Sequence, residues 1–255
     1  MAQIRIIGKK GSRAVKDIKS DSDIRGFVGK IKADAIINYG LAAPQLDNFF
    51  KKNPSARSVP IVNRHVGYSK YNVARRAMEK GIPVPETKLS LSKSDKVSDY
   101  IEKRIASIGG KGIIKARGKE RLKGKYYQKF IQDRRYELRV HAFLWVPKEE
   151  WRVQKRLGSD KEIAWNYKNG GHFVSVHNPR SYKSFVQAED IAEKVLKMLG
   201  MSFGAVDFLV DGRHNVYFIE VNSAPGFTEL SKPIYVNAFN RLNKMRPKDV
   251  FKFTK

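Results

Sequence analysis

Two apolar runs separated by a five-residue turn constrain this chain more than any other feature. GAVDFLV (204–210), the turn DGRHN and VYFIEVN (216–222) read as strand, turn, strand. Both runs are apolar enough to be buried. The first nevertheless carries Asp207, and the second carries Glu220 and Asn222, two apart and therefore on one face. The second run then stops at once in Ser-Ala-Pro-Gly. A carboxylate set in a buried strand is costly unless a cation meets it. Taken singly, each of the three reads as part of a buried hydrogen-bond network at a sheet end. Taken together, three oxygen donors from adjacent strands favour a hard ion, Mg²⁺ or Mn²⁺, with room for water and phosphate.

The rest of the chain can supply a core around that unit. Its 255 residues suffice for one large core or two to three small modules, and a hydrophobic content of 41% supports a packed one. There is no run of about 18 apolar residues, so no membrane span or membrane partner is expected. The start, MAQIRIIGKKG, lacks a signal-peptide apolar region and reads as a first strand. The absence of cysteine excludes disulfides and thiolate metal sites and fits a cytoplasmic setting. QIRII (3–7), AIINYG (35–40) and VPIVN (59–63) are strand-like, with SDIRGFVGKIK and PQLDNFFKK helix-compatible around them, which suggests a small α/β unit with a parallel sheet. Ser69 can cap a helix carrying Val73, Ala77 and Met78, stopped by Gly81. QAEDIAEKVLKML (187–199) puts Ala188, Ile191, Ala192, Val195, Leu196 and Leu199 on one stripe, closed by Gly200.

Charge separates function classes. Lys and Arg number 51 against 25 Asp and Glu, a net +26 that favours an anionic partner: nucleotide, nucleic acid or an acidic peptide. GGKGIIKARGKERLKGK (109–125) mixes glycines, whose amides can approach phosphate, with cations. In ELRVHAFLW (137–145), Glu137, Arg139 and His141 alternate with aliphatics, so they share either a solvated face or a cleft. Trp145, Trp151 and Trp165 read as packing, since nucleic-acid stacking needs exposed rings. The basic end, NRLNKMRPKDVFKFTK, reads equally as a solvated helix and tail or as a partner contact.

Several of these stretches fall in the order of one known family. IEVNSAPG, with GAVDFLV upstream, resembles the metal-binding end of the ATP-grasp superfamily, notably its ribosomal-protein glutamate ligase and D-alanine–D-alanine ligase branches. SKYNVARRAMEKGIPVPET (69–87) resembles the element that opens the grasp fold. KYYQKFI (125–131) resembles the inter-lobe hinge, YELRV (136–140) the segment after it, and AWNYKNGG (164–171) the Asn-containing stretch before the last acidic strands.

The resemblance implies an α/β (α+β) ATP-grasp fold, two α+β lobes gripping a nucleotide, preceded by a small α/β domain. The implied bounds are 1–68 for the N-terminal domain, 69–127 for a shortened small lobe and 128–255 for the large lobe with the metal site and basic tail. It implies ATP and Mg²⁺ (or Mn²⁺) as cofactors, with Asp207, Glu220 and Asn222 as metal ligands and Lys70 and Lys115 on the phosphates. Backbone at Gln128, Lys129, Phe130 and Ile131 would meet adenine, and Glu137 would lie near the ribose. Arg139, Lys155 and Arg156 would face the phosphates or the reacting carboxylate. The chain departs from the family in placing GGKG (109–112) close to YYQKFI, so Lys111, Arg117 and Lys119 stand beside Lys115 for the lid role.

The activity so implied joins a small-molecule or peptide carboxylate to an amine (or thiol) through an acyl phosphate. Two other readings stay open: a basic nucleic-acid-binding protein on a non-ligating grasp fold, and a kinase that stops at phosphoryl transfer.

Overall fold

The computed structural model describes residues 1–29, 32–106, 112–159, 162–165, 169–174 and 176–254. The first of its three sheets is parallel: β1 (Ile4–Gly8), α1 (Arg13–Asp21), β2 (Arg25–Gly26), β3 (Ala35–Tyr39), α2 (Ala43–Lys52) and β4 (Ile61–Val62) assemble in the strand order β2-β1-β3-β4. Its central strands β1 and β3 are mainly apolar because both faces are covered. Ile4, Ile6 and Ile37 meet Ala14 and Ile18 of α1, while Ile7 and Ile36 meet Leu46 and Phe50 of α2. Among the described residues of SDIRGFVGKIK, 22–29 and 32, there is no helix. Ser12 caps α1 earlier, its hydroxyl accepting from the Val15 amide, and the later segment, with glycines at 26 and 29, contributes the edge strand β2.

The second sheet follows α3 (Lys70–Glu79), which Ser69 caps by accepting from the Asn72 amide. Val73, Ala74 and Ala77 form its buried face; Met78, expected there, is exposed. β5 (Thr87–Lys88), β6 (Tyr100–Arg104), β7 (Ile114–Lys115) and β8 (Lys125–Lys129) then pair antiparallel in the order β5-β8-β6-β7. Gly112 is the only residue of the GGKG quartet among those described.

The third sheet is antiparallel: β9 (Arg134–Phe143), β10 (Arg152–Leu157), β11 (His172–Val174), β12 (Phe203–Asp211) and β13 (Val216–Asn222) lie in the order β11-β10-β9-β12-β13. One face packs on α4 (Lys183–Leu199), whose whole expected stripe is buried and which ends on Gly200 at φ 64°. Tyr235, Phe239 and Leu242 of α5 (Lys232–Lys244) form a second core with Phe143, Trp145, Phe203 and Tyr39, tying the first sheet to the third. α6 (Pro247–Val250) buries Val250, and Phe253 packs edge-on against Trp145 at 5.8 Å, so the basic C-terminal stretch helps close the core. Among the described residues no helix is long and apolar enough to cross a membrane.

Candidate active site

The third sheet turns the face opposite α4 towards the second sheet, and strand register fixes what lies on it. Gln154, Arg139, Asp207 and Glu220 form one row across β10, β9, β12 and β13. Arg156, Glu137 and Leu209 form the next, and His141, Ala205 and Asn222 lie on the other side. A bulge gives this face an extra residue: Asp207 pairs with Glu220 but Phe208 pairs with Phe218, so Ile219 is unmatched. The bulge re-aims the strand, and both Ile219 and Glu220 reach the cleft.

Ion pairs organise the row. Arg139 donates to both Asp207 oxygens at 2.6 and 2.7 Å, in a side-on fork. Burial opposes the charged form of Asp207, but the charge and hydrogen bonds of Arg139, helped by Arg156, hold its carboxyl below the usual range. Arg156 donates to Glu137 at 2.8 Å; even so, burial, with the charge of Asp207 added, pushes the Glu137 carboxyl up. Lys70, at the start of α3, pairs with Glu220 at 2.6 Å, both side chains part-exposed.

The second sheet supplies the opposite wall. Ile101 and Lys103 of β6 and Gln128 of β8 face the cleft. Lys103 is buried, and its ammonium donates to the Gln128 amide oxygen at 2.9 Å, while Gln128 donates to Thr87 at 3.1 Å. Burial pushes Lys103 down to about 8, with Glu220 and Glu137 favouring the charged form and Lys70 opposing it. Lys103 is not among the residues the sequence singles out: it lies between Glu102 and Arg104, and no alternation marks it as inward-facing. The hinge narrows as well: the Lys129 amide donates to Glu86 and the Phe130 amide to Asp99, both at 2.8 Å. The Ile131 amide has no partner among the described residues.

Ten of the expected residues therefore share one cleft: Lys70, Gln128, Lys129, Phe130, Ile131, Glu137, Arg139, Arg156, Asp207 and Glu220. Three do not line it. Lys155 is on the far face of β10, its ammonium 4.6 Å from the Tyr136 ring, in a separate pocket with Arg135 and His214. A strand's period of two separates it from Arg156. Lys115 is exposed on the edge strand β7, opposite Ile101. Asn222 is exposed at the end of β13, its side-chain oxygen accepting from the Ala224 amide at 3.0 Å, and it lines the neighbouring cavity together with Glu220. Lys111 and residues 166–168 of AWNYKNGG lie outside the described residues. His141 is buried between Tyr235 and Gln154, 3.1 and 2.8 Å away, and burial pushes it down to about 4, so near pH 7 it is a neutral hydrogen-bonding ring. All three tryptophans are buried, which removes them as stacking platforms.

The cleft has the chemistry of a nucleotide site. Ile101, Phe208, Leu209 and Ile219 make an apolar slot, and the cations Lys70, Lys103, Lys129, Arg134, Arg139 and Arg156 outnumber the acids Glu137, Asp207 and Glu220. Two carboxylates from adjoining strands, Asp207 and Glu220, stand at its end and suit Mg²⁺, with the Asn222 amide beyond them in the neighbouring cavity. Glu220 is the most available of the three, because both Asp207 oxygens already accept from Arg139.

Residues 68–227 match the ATP-grasp domain family, and the chain belongs to it. It is 28% identical over 165 residues to tetrahydromethanopterin:alpha-L-glutamate ligase of Methanocaldococcus jannaschii, covering 58% of this chain and 53% of that protein. It is 46% identical over 44 residues to D-alanine–D-alanine ligase of Paraburkholderia phymatum, 17% of this chain and 14% of that one. The chain thus spans about half the length of the first of these curated relatives and less of the second. Among solved structures, the ATP-grasp ligase PsnB complexed with a minimal precursor superposes with a TM-score of 0.60 at 13% identity over 100% of both chains. The macrocyclase MdnC of Microcystis aeruginosa, bound with precursor peptide MdnA, gives 0.54 at 12% identity over 96% of this chain and 100% of that one. At these identities the likeness is one of fold.

Proposed function

We propose that this protein is an ATP- and Mg²⁺-dependent ligase that activates a carboxylate as an acyl phosphate and transfers the acyl group to an amine. The observation that carries this reading is the cation-rich cleft between two sheets, closed at one end by Glu220 and Asp207 in register. Adenine would occupy the apolar slot beside Ile131 and Gln128, with Lys103, Arg139 and Arg156 on the phosphates and Lys70 next to Glu220. Glu220, Asn222 and Asp207 would hold the metal, which supplies charge neutralisation on the transferring phosphoryl group. Arg139 fixes Asp207 and thereby the row. A substrate carboxylate oxygen attacks the γ-phosphorus as the bond to ADP breaks. The amine then attacks the acyl carbon, phosphate leaves, and the amine proton passes to solvent. Positioned cations suffice for the first step, and no enzyme nucleophile is needed. The relatives named for glutamate and for precursor peptides support an amino acid or peptide as substrate.

ADP release, measured with pooled amino acids and small carboxylic acids, tests this. Stimulated release is expected, and Glu220→Gln should lower it by roughly a thousandfold, as loss of several kcal/mol of metal-derived stabilisation requires. Absence of any stimulation would sink the ligase reading. A stable phosphorylated product with no amide would make the protein a kinase.

A further inference from the structure

A second cavity, of about 660 Å³, opens beside the nucleotide cleft and shares Lys70, Ile219 and Glu220 with it. Its position follows from the topology of the first sheet. α1 and α2 cover opposite faces, so the connections leaving β1 and β3, which are neighbours, diverge. Such a switch point leaves a crevice outside the carboxyl ends of the strands, where open α/β sheets bind ligands. Lys9, Lys10 and Ser12 line the crevice after β1, and Gly40 after β3. The end of β13 and its following turn, Ile219 to Ala224, form the far wall. Gly40, at φ 83°, is needed there, because a Cβ would collide with that of Ala224, and Tyr39 donates to the Pro225 carbonyl at 2.6 Å. The crevice is thereby fixed to the strand that carries Glu220.

The charges in this cavity are unbalanced. Its only acid is Glu220, already paired with Lys70, whereas Lys9 and Lys10 have no carboxylate within ion-pair distance among the described residues. Neither lysine lines the nucleotide cleft, so triphosphate binding does not account for them. Val73, Met201 and Ile219 provide apolar wall between the two ends. We infer that the acid activated here is a small dianion. One carboxylate is presented at Glu220 for phosphorylation, and a second anionic group, carboxylate or phosphate-like, is held by Lys9 and Lys10 across a short carbon chain. This substrate class rests on the ligase reading; the anion site itself does not.

Backbone-amide NMR titrations of the full chain with glutarate, phosphonoacetate and butyrate separate the possibilities without turnover. At least one dianion should bind about tenfold or more tightly than butyrate, the difference expected from one additional charge-assisted contact, with shifts at Gly11, Ser12 and Gly40. Whichever of glutarate and phosphonoacetate binds better identifies the second anion. The K9A/K10A double variant should lose the preference while calorimetry shows unchanged Mg-ATP affinity, which also reports that the fold is intact. Equal binding of butyrate, or a preference that survives in the double variant, would overturn the inference. Failure of wild type to take up Mg-ATP would instead remove the ligase reading and leave the anion measurement standing.

Discussion

The two walls of the nucleotide cleft hold their cations in opposite ways. On the third sheet the inward guanidinium of each of the two rows meets a carboxylate: Arg139 grips Asp207 through two bonds and Arg156 bonds Glu137. On the second sheet Lys103 is buried against a neutral amide, 2.9 Å from the Gln128 oxygen. Paired charges fix geometry, because removing either partner strands the other in a low-dielectric site. A buried ammonium whose near partners are a neutral amide and the Tyr126 ring, 5.9 Å away, is a cost to the fold, and an incoming phosphate relieves it. One wall fixes its cations before an anion arrives, and the other leaves its lysine to be satisfied by one.

Asp207→Asn should have the largest effect on folding. The Arg139 guanidinium would keep its burial and lose its counter-charge, and breaking a buried pair in this way costs about 3–5 kcal/mol. Urea unfolding measures it. A loss below about 1 kcal/mol, the level of a surface pair, would mean that water screens this site and that the contrast between the walls is false.

Lys103→Met should do the reverse. Stability should hold or rise, since a desolvated charge is replaced by an apolar chain of similar length, while ATP affinity drops roughly a hundredfold with the loss of a buried charge-assisted contact. The pH dependence has a definite sign. Lysine titrates near 10.5 in the unfolded chain and at about 8 here. Between those values the unfolded chain binds more protons, so the contribution of Lys103 raises stability as pH increases through that window. ATP affinity moves the other way, weakening as pH rises through about 8 and the ammonium is lost. Calorimetric titration across this range should show the step in wild type and none in Lys103→Met. A variant as unstable as Asp207→Asn would mean that the fold depends on the Lys103 charge and would remove the contrast between the walls.

The same difference explains what could be read from the sequence. Asp207, Glu220, Glu137 and Arg139 sit in long strands whose alternation with aliphatics sets the face of each residue, so their neighbours in space follow from spacing. The stripe of α4 is legible for the same reason, with a period of 3.6 in place of 2. In β6, by contrast, Glu102, Lys103 and Arg104 are consecutive and no alternation separates inside from outside. Only pairing reveals that Glu102 turns away to meet Lys125 at 2.9 Å, which leaves Lys103 facing the cleft. The bulge at Ile219 escapes a period-based reading altogether, because it is a break in the period. The first helix lies one segment before SDIRGFVGKIK, whose residues are compatible with a helix, because Ser12, Ala14 and Ile18 supply a cap and a buried face there.

Lys155 and Arg156 give the finest test, since both were assigned to one site and only one reaches it. Arg156 lines the cleft and bonds Glu137; Lys155 stacks its ammonium over Tyr136 on the side of α4. Arg156→Ala should weaken ATP binding about tenfold, the measure of one charge-assisted contact, and should free Glu137 to protonate more readily. Lys155→Ala should leave ATP affinity where it is and cost about 0.5–1 kcal/mol of stability through the lost cation–π contact. Calorimetry on the two variants reads the first quantity and urea unfolding the second. Equal losses of affinity would mean that a bulge interrupts β10 between the two residues, because a shift of register would exchange their faces and still leave them on opposite sides of the strand.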